Sequence, residues 1–104
     1  MNDLEFCRIL SIETATLKVW VEQKWIIPRG TPESAAYEDA DVARGRLILD
    51  LIHSMGVNEA GVDVVIDLVD QVNSLRERMG RVIEAVRQQD VEVQRKLRQA
   101  LERS

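Results

Sequence analysis

The side chains that most often carry catalysis are scarce here: the sequence holds one cysteine, Cys7, and one histidine, His53. A thiol becomes a working nucleophile when neighbouring positive charge lowers its pKa, and only Arg8 stands beside Cys7. Cys7 reads as a small buried or half-buried hydrophobe. His53 follows the apolar pair Leu51-Ile52 and has no Cys, His or Ser companion at ligand or triad spacing. It reads as structural. One cysteine builds neither a disulfide within the chain nor a zinc cluster, which fits a reducing cytoplasm. No P-loop, dinucleotide fingerprint or metal-ligand cluster occurs, and the plentiful carboxylates read as helix caps and solvated faces. The expectation is a protein that binds rather than catalyses, with no cofactor.

Composition narrows what such a protein can be. At 104 residues, 45% apolar and 31% charged, the chain is one globular domain or a small domain with a helical extension. Two prolines, five glycines and few aromatics favour an all-α fold. No basic segment leads into a long apolar run, so neither secretion nor membrane spanning is expected, and a cytoplasmic location is. The net charge of −4 is unevenly spread: residues 1–37 carry −1, residues 38–70 carry −6, and residues 71–104 carry +3. A compact domain that reads the phosphate backbone concentrates positive charge on its docking face. The first two segments are neutral to acidic.

The elements follow from caps and periodicity. Asp3 as N-cap, Glu5 in the first turn and the stripe Phe6, Ile9, Leu10 predict a short helix over 3–10. Ser11 is expected to cap a second helix, with Ile12, Leu17, Trp20 and Val21 inward and Thr14, Thr16, Lys18, Glu22 and Gln23 largely outward. Trp25-Ile26-Ile27 before Pro28 reads as a strand, Arg29 to Ser34 as turn chemistry, and Ala35-Ala36-Tyr37 as a return strand. Together these outline a winged helix-turn-helix with a small β-wing, and Trp20 and Trp25 as core anchors.

Glu38, Asp39 and Asp41 open a third helix, where a helix dipole favours anions. Val42, Leu47, Ile48, Leu49, Leu51, Ile52 and Met55 make it apolar around most of its circumference, as a central core helix is. Gly45 inside it would let another backbone approach; Gly56 suits a helix end and Asn58 the next N-cap. From Asn58 a heptad takes over. Val65, Val72, Met79 and Val86, with Leu68, Leu75 and Val82 between them, predict a dimerisation seam. The seam weakens beyond 86, where Gln89 and Lys96 fall on it, and Gly80 marks a bend or a close contact. A helix over most of this stretch is roughly 45 Å long at 1.5 Å per residue, more than so small a domain can cover, so a homodimer is expected. The division is a winged helix-turn-helix domain over 1–57, a coiled-coil helix over 58–89 and a charged, fraying tail over 90–104.

These residues resemble the MerR-like winged-helix superfamily across roughly residues 3–86. The features are Ile12–Pro28 as helix and strand, Tyr37 before the acidic helix start, and the Ser54-to-Val62 helix junction. DNA-binding members carry an Arg-Tyr-Tyr run in the second helix and an Arg beside the wing tyrosine. Lys18-Val19-Trp20 and Ala36 stand in those places, and Val19 and Ala36 bond to neither phosphate nor base. The chain is more similar to the CbpM-like chaperone modulators. Glu5-Phe6-Cys7 resembles that family's Glu-Phe-Cys, and the Leu17-to-Pro28 spacing followed by Arg29, the Tyr37–Asp39 run and a heptad helix without an effector domain also fit.

The resemblance implies binding to the J-domain of a CbpA-like DnaJ-type co-chaperone and restraint of its activity. J-domains use a basic helix, so an acidic surface including Glu38, Asp39, Asp41, Asp63, Asp67 and Asp70 is the implied partner site. By their positions alone these acids fit caps and solvated faces equally well. The alternative is a MerR-like DNA-binding regulator lacking an effector domain. In that case Thr14, Thr16, Lys18, Lys24 and Arg29 reach phosphates and a dimer doubles each contact.

Overall fold

The computed structural model describes all 104 residues. Five α-helices make up most of it: α1 (Asp3–Leu10), α2 (Thr14–Glu22), α3 (Asp39–Leu49), α4 (Glu59–Arg87) and α5 (Val91–Glu102). A 3-10 turn at Pro32–Ser34 shapes the wing, and a π-helical turn at Asp50–Ser54 extends α3. The all-α expectation with a long late helix holds. The chain forms two compact units, Met1–Asp67 and Leu68–Ser104. Every fully buried side chain belongs to the first.

In that first unit α1 packs on both α2 and α3. Phe6, Cys7 and Leu10 line the inner face of α1, while Ile9, expected there, is largely exposed. Cys7 takes its place because positions 3, 6, 7 and 10 share one side of a helix. Leu17 and Trp20 come inward from α2, Ile48 from α3, Leu51 from the π turn, and Val62 and Ile66 from the first turns of α4. Gly45 permits the close approach of α1 and α3: a Cβ there would collide with Leu10 Cδ1. Trp20 and Trp25 are both buried anchors, as the sequence predicts.

Three local expectations give way. Asn2, not Asp3, caps α1, its side chain accepting from the Glu5 N–H at 2.9 Å. Ser11 ends α1 in the left-handed region at φ 55 rather than starting α2, whose first residue is Thr14 after Glu13. Trp25–Ile27 is an irregular turn and not a strand. The wing is reduced to one antiparallel bridge, Arg29 with Ala36, joined by N–H to carbonyl bonds of 3.0 and 2.8 Å. A strand needs a partner along its length, and the proline-rich tip leaves only one pair in register.

The third helix is also less buried than its composition suggests. Val42, Leu47, Leu49 and Ile52 are half-buried, and Met55 is 69% exposed because the helix ends in the π turn before reaching it. Gly56 turns the chain at φ 65, and the Asn58 side chain accepts from the Gly61 N–H at 2.9 Å, as its capping role requires. In the second unit, Gly80 makes no close contact; nothing lies within 4 Å of a Cβ built on it. Residues 91–102 do not fray into a tail but form α5. The Asp90 side chain caps α5 through the Val93 N–H at 2.9 Å, and Gln94 closes the end of α4 through the Arg87 and Gln89 carbonyls at 3.3 and 2.8 Å.

Candidate functional site

Helix α2 and the wing enclose a cleft of about 610 Å³ in the first unit. Its α2 wall is Thr14, Ala15, Leu17, Lys18 and Val21; its wing wall is Pro28, Gly30, Thr31, Pro32 and Ala35. Tyr37 and Asp3 complete the lining, which is mostly apolar. The walls are held in place from behind. Leu17 and Trp20 anchor α2 in the core, the Arg29–Ala36 bridge closes the wing, and the Tyr37 ring stacks on Phe6 at 4.4 Å. The Tyr37 backbone is tied down as well, its carbonyl accepting from the Met1 amino group at 2.9 Å and its N–H donating to the Met1 carbonyl at 2.8 Å. Burial, with the Asp3 carboxylate beside the phenol, pushes the Tyr37 pKa well above its usual range. The hydroxyl therefore stays protonated.

The phosphate-contact candidates lie on α2, in the turn after it and on the wing, and only Thr14 and Lys18 line the cleft. Thr14 and Lys18 are exposed on α2 and line the cleft; Thr16 is half-buried on another side of the helix. Lys24 is exposed in the turn after α2, in the left-handed region at φ 63. Arg29 is spoken for. Its guanidinium pairs with Glu38 at 2.9 Å.

The six acidic candidates fall into separate places. Glu38 and Asp41 join at the start of α3, where the Glu38 N–H donates to Asp41 Oδ2 at 2.8 Å, and Asp39 is exposed in the same first turn. Asp63, Asp67 and Asp70 follow one another along one side of α4, with Asp70 already in the second unit. Asp63 has a structural duty: its Oδ1 accepts from the buried Trp25 indole. The Trp25 carbonyl in turn accepts from Arg44 Nε, and Gln23 reaches Glu59 at 2.8 Å. These bonds fasten the turn after α2 to α3 and to the start of α4. Sequence reasoning missed Arg44, Gln23 and Glu59 in this role, and it missed the cleft residues Ala15, Pro28 and Ala35. Small apolar residues on a helix exterior and a turn give no signal until the two walls are brought face to face.

Cys7 and His53 occupy contrasting positions. Cys7 is buried, and desolvation with the nearby Asp3 charge raises its pKa, which keeps the thiol neutral and inert. His53 is exposed on the π turn, at a shallow groove that Glu13, Thr16 and Asp50 also line. On α4, Leu68, Val72, Leu75, Met79 and Val82 are 46–61% exposed, while Val65 and Val86 are half-buried. Ile83, also largely exposed, widens the stripe. No helix is long and apolar enough to cross a membrane.

Residues 3–84 match the family described as MerR HTH family regulatory protein. The chain belongs to this family. The match spans α1, α2, the wing, α3 and most of α4, so the cleft lies inside the MerR-type helix-turn-helix region. No curated protein and no solved structure matches the chain.

Proposed function

We propose that this MerR-family chain is a chaperone modulator of the CbpM-like kind, acting in the cytoplasm by docking on the J-domain of a DnaJ-type co-chaperone and restraining it. One observation carries this reading. The face on which a DNA-binding relative would present cations to phosphate is an apolar cleft between α2 and the wing, and the wing's arginine, Arg29, forms a surface ion pair with Glu38. Phosphate binding gains from released counterions only where cations cluster. A basic protein helix is favoured instead: the first unit has twelve acids against six bases, and Glu38, Asp39 and Asp41 gather at the start of α3. Glu38 and Asp39 are exposed there and Asp41 is half-buried. We also propose that two copies pair through the α4 stripe from Val65 to Val86, exposed from Leu68 to Val82, since apolar rows at heptad spacing are buried most readily by a second helix.

A DNA-binding regulator is the second reading, favoured by the exposure of Thr14, Lys18 and Lys24 on and beside α2. Parallel titrations separate the two, one with the isolated J-domain and one with random-sequence duplex DNA, both near ~150 mM salt where surface charge is screened as in cells. Saturable J-domain binding at micromolar concentration or tighter, with little DNA binding, is the expected result. Salt-sensitive DNA binding without J-domain binding would move the protein to the regulator class.

A further inference from the structure

We infer that the cleft between α2 and the wing is the seat for an apolar side chain presented by a basic helix of the partner protein. This rests on the modulator reading and assigns it a place. The cleft's volume of about 610 Å³ falls within the roughly 300–1,000 Å³ of pockets that take ligands. Ala15, Val21, Pro28 and Ala35 give it walls with no hydrogen bond to offer, so what enters gains by leaving water rather than by pairing. The floor is preformed. Tyr37 is locked by its stack on Phe6 and by the two Met1 backbone bonds, so little ordering is needed on binding.

Charge selects the flanks of the incoming segment. Asp3 lines the cleft and Glu38, outside the lining and ion-paired with Arg29, directly follows Tyr37, within a unit whose acids outnumber its bases two to one. Lys18, the one cation in the lining, makes the cleft's rim two-signed. A purely cationic peptide is therefore not the best fit, and an apolar side chain with bases around it on a helix is. Insertion of an aromatic or aliphatic group in such a pocket, ringed by charged residues that exclude water, is how a few residues come to dominate an interface.

Two substitutions of opposite charge at one wall residue test this. Ala15 is exposed on α2, so Ala15→Arg and Ala15→Glu fill the cleft without disturbing the core. Val19, exposed on the same helix but outside the cleft, is the control as Val19→Glu. The full-length variants, checked for unchanged helicity by circular dichroism, are titrated with the J-domain. The expected result is a loss of about tenfold or more for both Ala15 variants and a change within about twofold for Val19→Glu. Methyl NMR signals of Ala15, Val21 and Ala35 should shift as J-domain is added. If Ala15→Glu binds as well as the unaltered protein or better, attraction is only long-range charge and the seat is elsewhere. If both Ala15 variants bind normally, the cleft inference falls while the modulator reading stands. An unaltered protein that fails to bind the J-domain overturns both. Cleft signals that move with the protein's own concentration and not with J-domain would mean that a second copy fills it, which also overturns the inference.

Discussion

Trp25 shows how one residue can serve as a joint. Its indole donates to Asp63 on α4, its carbonyl accepts from Arg44 on α3, and its ring is 4% exposed. Had it been on the surface it would have been a leading interface anchor; buried, it sets the turn that leads into the wing. Trp25→Phe removes the indole donor and some volume, and should cost roughly 3 kcal/mol in urea unfolding, because a carboxylate loses its buried partner and a gap is left. Asp63→Asn should cost less, since an amide oxygen still accepts. Cys7 and Tyr37 set a pH limit on the same unit. Both have pKa values raised by burial and by Asp3, so each keeps its proton in the folded chain after it would lose it in the unfolded one. Their contribution is intact below the ordinary thiol value of 9.0 and is lost as pH rises beyond it. Thermal stability should therefore fall steadily above about pH 9, first through Cys7 and then through Tyr37. Cys7→Ala should flatten the first part of that decline.

Among the elements, the crossing of α1 and α3 depends on a missing side chain. Gly45→Ala would drive its Cβ into Leu10, and overpacking of this kind costs about 1–3 kcal/mol, to be read from chemical denaturation. Gly80→Ala provides the contrast, because open space surrounds that position and alanine favours a helix by up to about 1 kcal/mol over glycine. That both are helical glycines is visible in the sequence; which one is packed is not. The wing illustrates a related limit. Trp25-Ile26-Ile27 has the composition of a strand, but Trp25 and Ile26 turn into the core, Ile27 is exposed and the Trp25 carbonyl is taken by Arg44, so no ladder forms. Ser11 fits either end of a helix by type, and its left-handed backbone puts it at the end of α1. Helix α5 was equally hidden, because the highly charged stretch beyond residue 89 reads as a tail. Asp90 and Gln94 decide it through local bonds.

For the whole molecule, the stripe on α4 makes a prediction that does not depend on the partner. Leu75→Glu puts a charge in the middle of the proposed seam, where the side chain is 60% exposed in a single chain. Sedimentation equilibrium should give a dimer for the unaltered protein and a monomer for the variant, with the helix content of the first unit retained. A variant that sediments like the unaltered protein would remove this stripe from any interface between copies. The asymmetry of charge, with acids in excess up to Asp70 and bases beyond it, belongs to the same scale. Such an asymmetry favours the approach of partners of opposite charge.

The sequence by itself determined that this is a helical MerR-type chain with a turn-rich wing, a late heptad helix and an excess of acids over bases through its first 70 residues. Those properties are written in periodicity, caps and charge, which act within a turn or two of each residue. Only the tertiary structure decided that Trp25 is a joint, that Asp63 is partly committed to it, that Arg29 answers to Glu38, and that α2 and the wing face each other across an apolar cleft. Each of these depends on groups far apart in the chain meeting through shared burial, and no local pattern encodes which partner a buried group will find.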